Sequence, residues 1–171
     1  HLPRTSSLGR LFDGMAFLLG LCDRNDSEAQ APIAVQQAAE TCEQANPYPY
    51  QIDKTDDGAL LLDYRPMIET IVNESIKGTV FSASTAARAF HETLAEMFAE
   101  AADRACKMRN ENRVVLTGGC FVNSLFRQRV KERLLRRGQD VYTHQTCSPG
   151  DASVALGQAV IAAARCRKGT L

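Results

Sequence analysis

Gly118 and Gly119 follow an apolar run, Val114-Val115-Leu116, and Asn123 stands four residues after the second glycine. Glycine lacks a Cβ, so a ligand can approach backbone N–H groups that a strand-to-helix turn leaves pointing outward. An asparagine at the start of the next helix offers a donor and an acceptor, which suits a base or a ribose. A tight turn with Asn123 as the helix cap accounts for the same residues. Asp151 follows Pro149-Gly150 and begins another helical pattern. It is either a capping aspartate, worth ~1 kcal/mol, or a carboxylate at a turn edge holding a metal near phosphates. Gly9 and Asp13 lie four apart on one helix face. Asp13 can accept from a ribose hydroxyl, or simply complement the positive end of its helix.

The remaining polar groups form no ligand set. Of His1, His91 and His144, no two have metal-ligand spacing. His91 reads as a packed or surface residue. His144 and Cys147 make an H-x-x-C pair with no further ligand nearby. The six cysteines (Cys22, Cys42, Cys106, Cys120, Cys147 and Cys166) contain no C-x-x-C pair. A chain that builds its own core has no need of disulfides, so reduced cytosolic thiols are expected. Arg127, Arg129, Lys131, Arg133, Arg136 and Arg137 crowd one helix against Glu132, as a solvated face or beside an anionic partner.

These residues need elements to place them. Ser6 or Ser7 starts a helix to about Leu21, with Leu8, Leu11, Phe12, Met15, Leu18 and Leu19 at helical period. Its other face, Gly9, Asp13, Ala16 and Gly20, reads as a groove open to close approach. A second helix covers about 27–45, with Pro32 tolerated in its first turn. The segments 50–53 and 59–64 flank Asp57-Gly58 as a hairpin. Pro66 opens a helix that Gly78 closes, and Ser84 caps a long one to about Met108. Its stripe is Phe90, Leu94, Met97, Phe98, Ala101 and Ala105. Next come a strand, 113–119, a helix from about Asn123 to Arg137, and a short strand, 140–144. A last helix, Asp151 to about Arg165, carries the stripe Val154, Leu156, Ala159, Val160 and Ala163. The order predicts α/β with a large helical share.

Hydrophobic residues make up 44% and charged residues 23% of the 171, the composition of a globular chain. The formal net charge of +0 argues against a nucleic-acid or membrane partner held by bulk charge. No apolar run approaches the roughly 20 residues that span a bilayer. The start, HLPRTSSLGR, is polar rather than signal-like and lacks Met, so a piece of a longer cytoplasmic protein is expected.

Taken in order, TSSLGRLFDGMAFLLGL (5–21), RAFHETLAE (88–96), VVLTGGCFVNSLF (114–126) and SPGDASVALGQAVIA (148–162) resemble the C-terminal part of the HypF family. These are carbamoyltransferases of [NiFe]-hydrogenase maturation. The resemblance covers essentially the whole chain and includes EAQAPIAVQQAAE (28–40) and YPYQI (48–52). It implies the second half of a Kae1/TsaD-like domain, 1–171, with the actin/Hsp70/hexokinase-like (ASKHA) fold and nucleotide held between two lobes. It also implies hydrolysis of carbamoyl phosphate, activation with ATP as carbamoyl-adenylate, and transfer to the C-terminal cysteine thiol of a HypE partner. Gly118, Gly119 and Asn123 then line the adenylate site. Gly9 and Asp13 lie on the helix that contacts the nucleoside, and Asp151 ligates a divalent metal.

Two departures from the family pattern stand out. Asp151-Ala152-Ser153 replaces the family's Asp-Gly-Gly, and no H-x-x-x-H pair supplies the two histidine ligands expected upstream. The chain alone is therefore expected to hold half a site. The same fold also serves tRNA threonylcarbamoyl transferases of the TsaD type and O-carbamoyltransferases, although TSSLGRLFD and RAFHETLAE favour HypF. A lobe that docks the thiol-bearing partner without catalysing anything is the non-enzymatic alternative.

Overall fold

The computed structural model describes residues 5–77 and 82–167, so His1 and the expected helix stop at Gly78 lie outside the described residues. Helix α1 (Leu8–Leu18) buries Phe12, Met15 and Ala16. Helix α2 (Gln30–Glu40) is shorter than the expected 27–45. Ala29 at φ 60 sets its start, where Asn25 Oδ1 accepts from the Ala31 N–H at 2.8 Å. At its end the Thr41 hydroxyl donates to the Ala38 carbonyl at 2.8 Å. Ala16 is fully buried and α1 packs against α2. The expected groove along Gly9, Asp13, Ala16 and Gly20 is therefore partly a closed helix seam.

Strands β1 (Gln51–Lys54) and β2 (Leu60–Asp63) form the expected antiparallel hairpin. Gly58, at φ +85, makes the turn that lets Thr55 N–H reach the Ala59 carbonyl at 2.9 Å. Helix α3 (Arg65–Lys77) begins one residue before Pro66. Arg65 pairs with the Asp63 carboxylate across its first turn.

Helix α4 (Ala83–Arg109) is the axis of the molecule. Its cap is Ser82 rather than Ser84: Ser82 Oγ accepts from the Thr85 N–H at 3.3 Å and bonds the Ser84 hydroxyl at 2.8 Å. The expected apolar stripe holds for Phe90, Leu94 and Met97, but burial there runs all round the helix, from Ala86 to Ala95. Buried polar groups need partners, and α4 has them. The Thr93 hydroxyl donates to the Ala89 carbonyl at 2.7 Å and accepts from the Tyr48 N–H at 2.7 Å.

Strand β3 (Arg113–Leu116) pairs in parallel with β4 (Asp140–Thr143), from Arg113 opposite Asp140 to Leu116 opposite Thr143. Helix α5 (Ser124–Arg136) joins them and packs on α4. Phe12 meets the edges of Phe90 at 5.0 Å and Phe126 at 6.3 Å, tying α1, α4 and α5 into one core. The arginines of α5 are not a uniformly solvated face. Arg129 and Arg133 converge with Arg88 on the buried Glu92, and Arg133 and Arg137 bind Glu96. Burial favours a protonated Glu92, but hydrogen bonds from Arg133 and Arg88 override it and hold the carboxyl below its ordinary range.

Helix α6 (Val154–Arg167) has no buried residue. The expected stripe lies at the surface, with Val160 62% and Leu156 55% exposed. The apolar residues are spread around the helix rather than along one face, and among the described residues no element covers them. The whole is a helix-rich α/β architecture with two small sheets.

Candidate functional site

Because β3 and β4 are parallel, their carboxyl ends open on the same side, which is where open α/β sheets hold ligands. Leu116 leads into Thr117-Gly118-Gly119, and Thr143 leads into the loop that ends at Asp151. Gly118 takes φ 106 and ψ 159, a conformation that a side chain would strain. A 3-10 turn, Gly119–Val122, then delivers Asn123 to the start of α5. Asn123 is a true cap: its Oδ1 accepts from the Phe126 N–H at 2.9 Å.

The glycine turn and the Pro149-Gly150-Asp151 turn dock on each other. The Gly118 N–H donates to the Pro149 carbonyl at 2.8 Å. A Cβ on Gly150 would stand 3.4 Å from Gly119 Cα and 3.5 Å from Val122 Cγ2. Residues separated by some thirty positions, read as phosphate-handling and metal-holding, thus share one edge. One expectation changes: the Gly118 amide is already engaged. Among the described residues the Gly119 and Cys120 N–H groups have no acceptor, and these are the donors left for an anion.

Asp151 is exposed and opens the 3-10 turn Asp151–Ser153, whose cap position belongs to Gly150. The capping reading therefore does not hold. Among the described residues its carboxylate forms no hydrogen bond or ion pair. A free carboxylate on the turn that docks against the glycine turn suits one oxygen ligand of a hard divalent cation. The described residues contain no group of three His, Cys, Asp or Glu that could complete such a set.

Helix α1 borders the Gly119–Val122 turn, which puts Gly9 and Asp13 on a neighbouring element. The Asp13 carboxylate is partly committed. Arg10 Nη2 lies 2.9 Å from its Oδ2, and Asn25 Nδ2 donates to its Oδ1 at 3.2 Å. A carboxylate accepts about four hydrogen bonds, so room remains for a hydroxyl. Gly9 meets only Ser7 Oγ, 3.6 Å from where its Cβ would be. His144 does not turn to Cys147; its Nε2 bonds the Thr117 hydroxyl at 3.0 Å, on the glycine turn.

The packed reading of His91 holds, but its bond to Asn123 was not foreseen. His91 is fully buried on α4, with Nε2 3.0 Å from Asn123 Nδ2. Burial pushes its pKa down to about 4, so the ring is neutral at pH 7. The available signal was its place inside RAFHETLAE, next to Phe90.

Two clefts lie elsewhere. One, of about 380 Å³, is lined by Arg88, Glu92, Arg129 and Arg136 among others. The other, of about 1000 Å³, is mainly apolar and runs between α1 and β2.

A parallel strand pair whose glycine turn opens a capped helix, facing a Pro-Gly-Asp turn, defines a helix-rich α/β lobe. Residues 1–158 match the family described as carbamoyltransferase, Kae1-like domain, second subdomain. A carbamoyltransferase HypF homolog of Cupriavidus necator is 37% identical over 168 residues, covering 95% of this chain and 42% of that protein. Carbamoyltransferase HypF of Rhodobacter capsulatus is 33% identical over 166 residues, covering 96% of this chain and 20% of that protein. The crystal structure of full-length HypF in its phosphate- and nucleotide-bound form superposes with a TM-score of 0.82 at 32% identity, over 92% of this chain and 20% of that one. The chain belongs to the HypF carbamoyltransferase family. It spans less than half the length of these relatives.

Proposed function

We propose that this chain is the C-terminal portion, 1–171, of a Kae1-like domain and supplies the nucleotide-holding lobe of a cytoplasmic carbamoyltransferase. The observation that carries this reading is the joined edge: the turn with unspent amides at Gly119 and Cys120 docks on the turn that carries the free Asp151. A solved relative described as phosphate- and nucleotide-bound supports it. The substrates proposed are carbamoyl phosphate and ATP, combined as carbamoyl-adenylate, and the acceptor is the C-terminal cysteine thiol of a HypE-like partner.

In the transfer step the partner's thiolate attacks the carbamoyl carbon. The carbon–oxygen bond to the adenylate phosphate breaks, AMP leaves with the bonding pair, and the thiol proton passes to solvent. Negative charge grows on the departing phosphate. Amide donors from Gly119 and Cys120 stabilise it there, because fixed dipoles need no reorganisation as the charge develops. Gly119 keeps the approach open, and Asn123 and Asp13 read the nucleoside beside Gly9. Asp151 would hold a divalent metal, which neutralises phosphate charge; its other ligands come from residues beyond this set.

Calorimetric titration of the chain with ATP and Mg²⁺ tests this. A Cβ at Gly119 meets nothing within 4 Å, so Gly119→Ala leaves the fold intact while crowding the phosphate. It should weaken ATP by roughly tenfold or more, and Asp151→Ala should abolish the metal dependence. ATP affinity unchanged in both variants would sink the proposal.

A further inference from the structure

The neighbours of Asn123 leave its amide one way to face. Phe126 presents a backbone N–H, which only donates, so the atom 2.9 Å away must be Oδ1. The amide NH₂ therefore points at His91 Nε2, 3.0 Å away, and that nitrogen must accept. The proton of the neutral ring then sits on Nδ1, which lies 2.8 Å from the Ala87 carbonyl, an acceptor. Every donor in this chain meets an acceptor, and reversing any one member pairs like with like. After these bonds Asn123 still has one N–H and one lone pair to offer.

We infer that His91 is a positioning residue: from the fully buried wall of α4 it fixes which edge of the Asn123 amide a bound nucleotide meets. This rests on the nucleotide reading of Asn123 given above. The cap bond alone anchors only the oxygen, and the imidazole supplies the second anchor that stops the amide from swinging. The ring is itself held between Phe12 at 5.4 Å and Phe90 at 5.8 Å, so the anchor is rigid.

The test uses three substitutions in the 171-residue chain and AMP as the probe. His91→Phe keeps a ring in place but removes the acceptor. His91→Gln puts an oxygen where Nε2 stands, and His91→Asn offers one only at the Nδ1 position. Thermal unfolding of each variant is recorded alongside, so that a misfolded variant is recognised. AMP affinity should fall roughly tenfold, the worth of one well-placed hydrogen bond, in the Phe and Asn variants. The Gln variant should recover it. Nitrogen-15 spectra of the wild-type ring should show the proton on Nδ1 at pH 7.

AMP bound equally by wild type and the Phe variant, or a ring protonated on Nε2, overturns the positioning role alone. A wild-type chain that binds no AMP overturns the nucleotide reading and this inference with it.

Discussion

Asn123→Ala removes two bonds at once, because the same amide caps α5 and faces His91. Loss of the cap costs ~1 kcal/mol, and a buried imidazole nitrogen left without its donor costs about 1–3 kcal/mol more. Denaturant unfolding should show the sum. Asn123→Asp keeps the cap but sets a carboxylate against Nε2; NMR titration should then find His91 well above about 4. Burial dominates the depressed His91 value; the bond to the Ala87 carbonyl is the largest opposing influence, Arg88 adds to the depression, and Glu92 and Glu40 oppose it. Between its ordinary 6.5 and about 4, the unfolded chain binds a proton that the folded chain refuses. Stability should therefore fall as pH drops through that window, by on the order of 3 kcal/mol. Unfolding curves at pH 7 and pH 4 check this, and His91→Gln should flatten the difference. The glycine turn at Gly118 and the Asn123 cap were legible because turns and caps restrict residue type locally, while the same logic failed for Asp151, whose carboxylate caps nothing. His91 was not, because the group that gives it meaning lies 32 positions away.

At the scale of elements, α4 and α5 are joined by charge as much as by apolar packing. Arg88 and Glu92 are both below a tenth exposed, and their pairing extends through Arg133 to Glu96. Removing one partner of such a group strands the others away from water. Glu92→Ala should cost about 3–5 kcal/mol, whereas Arg136→Ala, on the exposed side, should stay within ~0.5 kcal/mol. Chemical denaturation of both variants measures the contrast. Glu92 and Glu96 both titrate below their ordinary range. Their contribution is therefore complete above the ordinary carboxylate value and disappears only as pH falls through the lowered ones. The sequence revealed a basic face on α5 but not its function, since the matching glutamates lie on another helix. Helix α4 misled in the same way: a periodic stripe was visible, but its all-round burial depends on what surrounds it.

For the molecule as a whole, the strand, helix, strand and helix order of residues 113–167 was readable, whereas the parallel pairing of its two strands came only with the structure. The surroundings of the last helix were not. Periodicity specifies which residues want cover and is silent on whether anything provides it. Val154, Leu156, Val160 and Ile161 stand more than half exposed, as do Val115 and Tyr142 on the strands. An apolar surface of this kind invites association. Val160→Glu should reduce self-association in analytical ultracentrifugation while changing stability by no more than ~0.5 kcal/mol. The Gly118–Pro149 bond has a further consequence. It ties two sequence-distant turns together, so the backbones at Gly119 and Gly150 move as a pair. A cation seated at one turn would preset the other for its anion. The two would then raise each other's affinity by one and the same factor, a thermodynamic cooperativity built from a single backbone hydrogen bond.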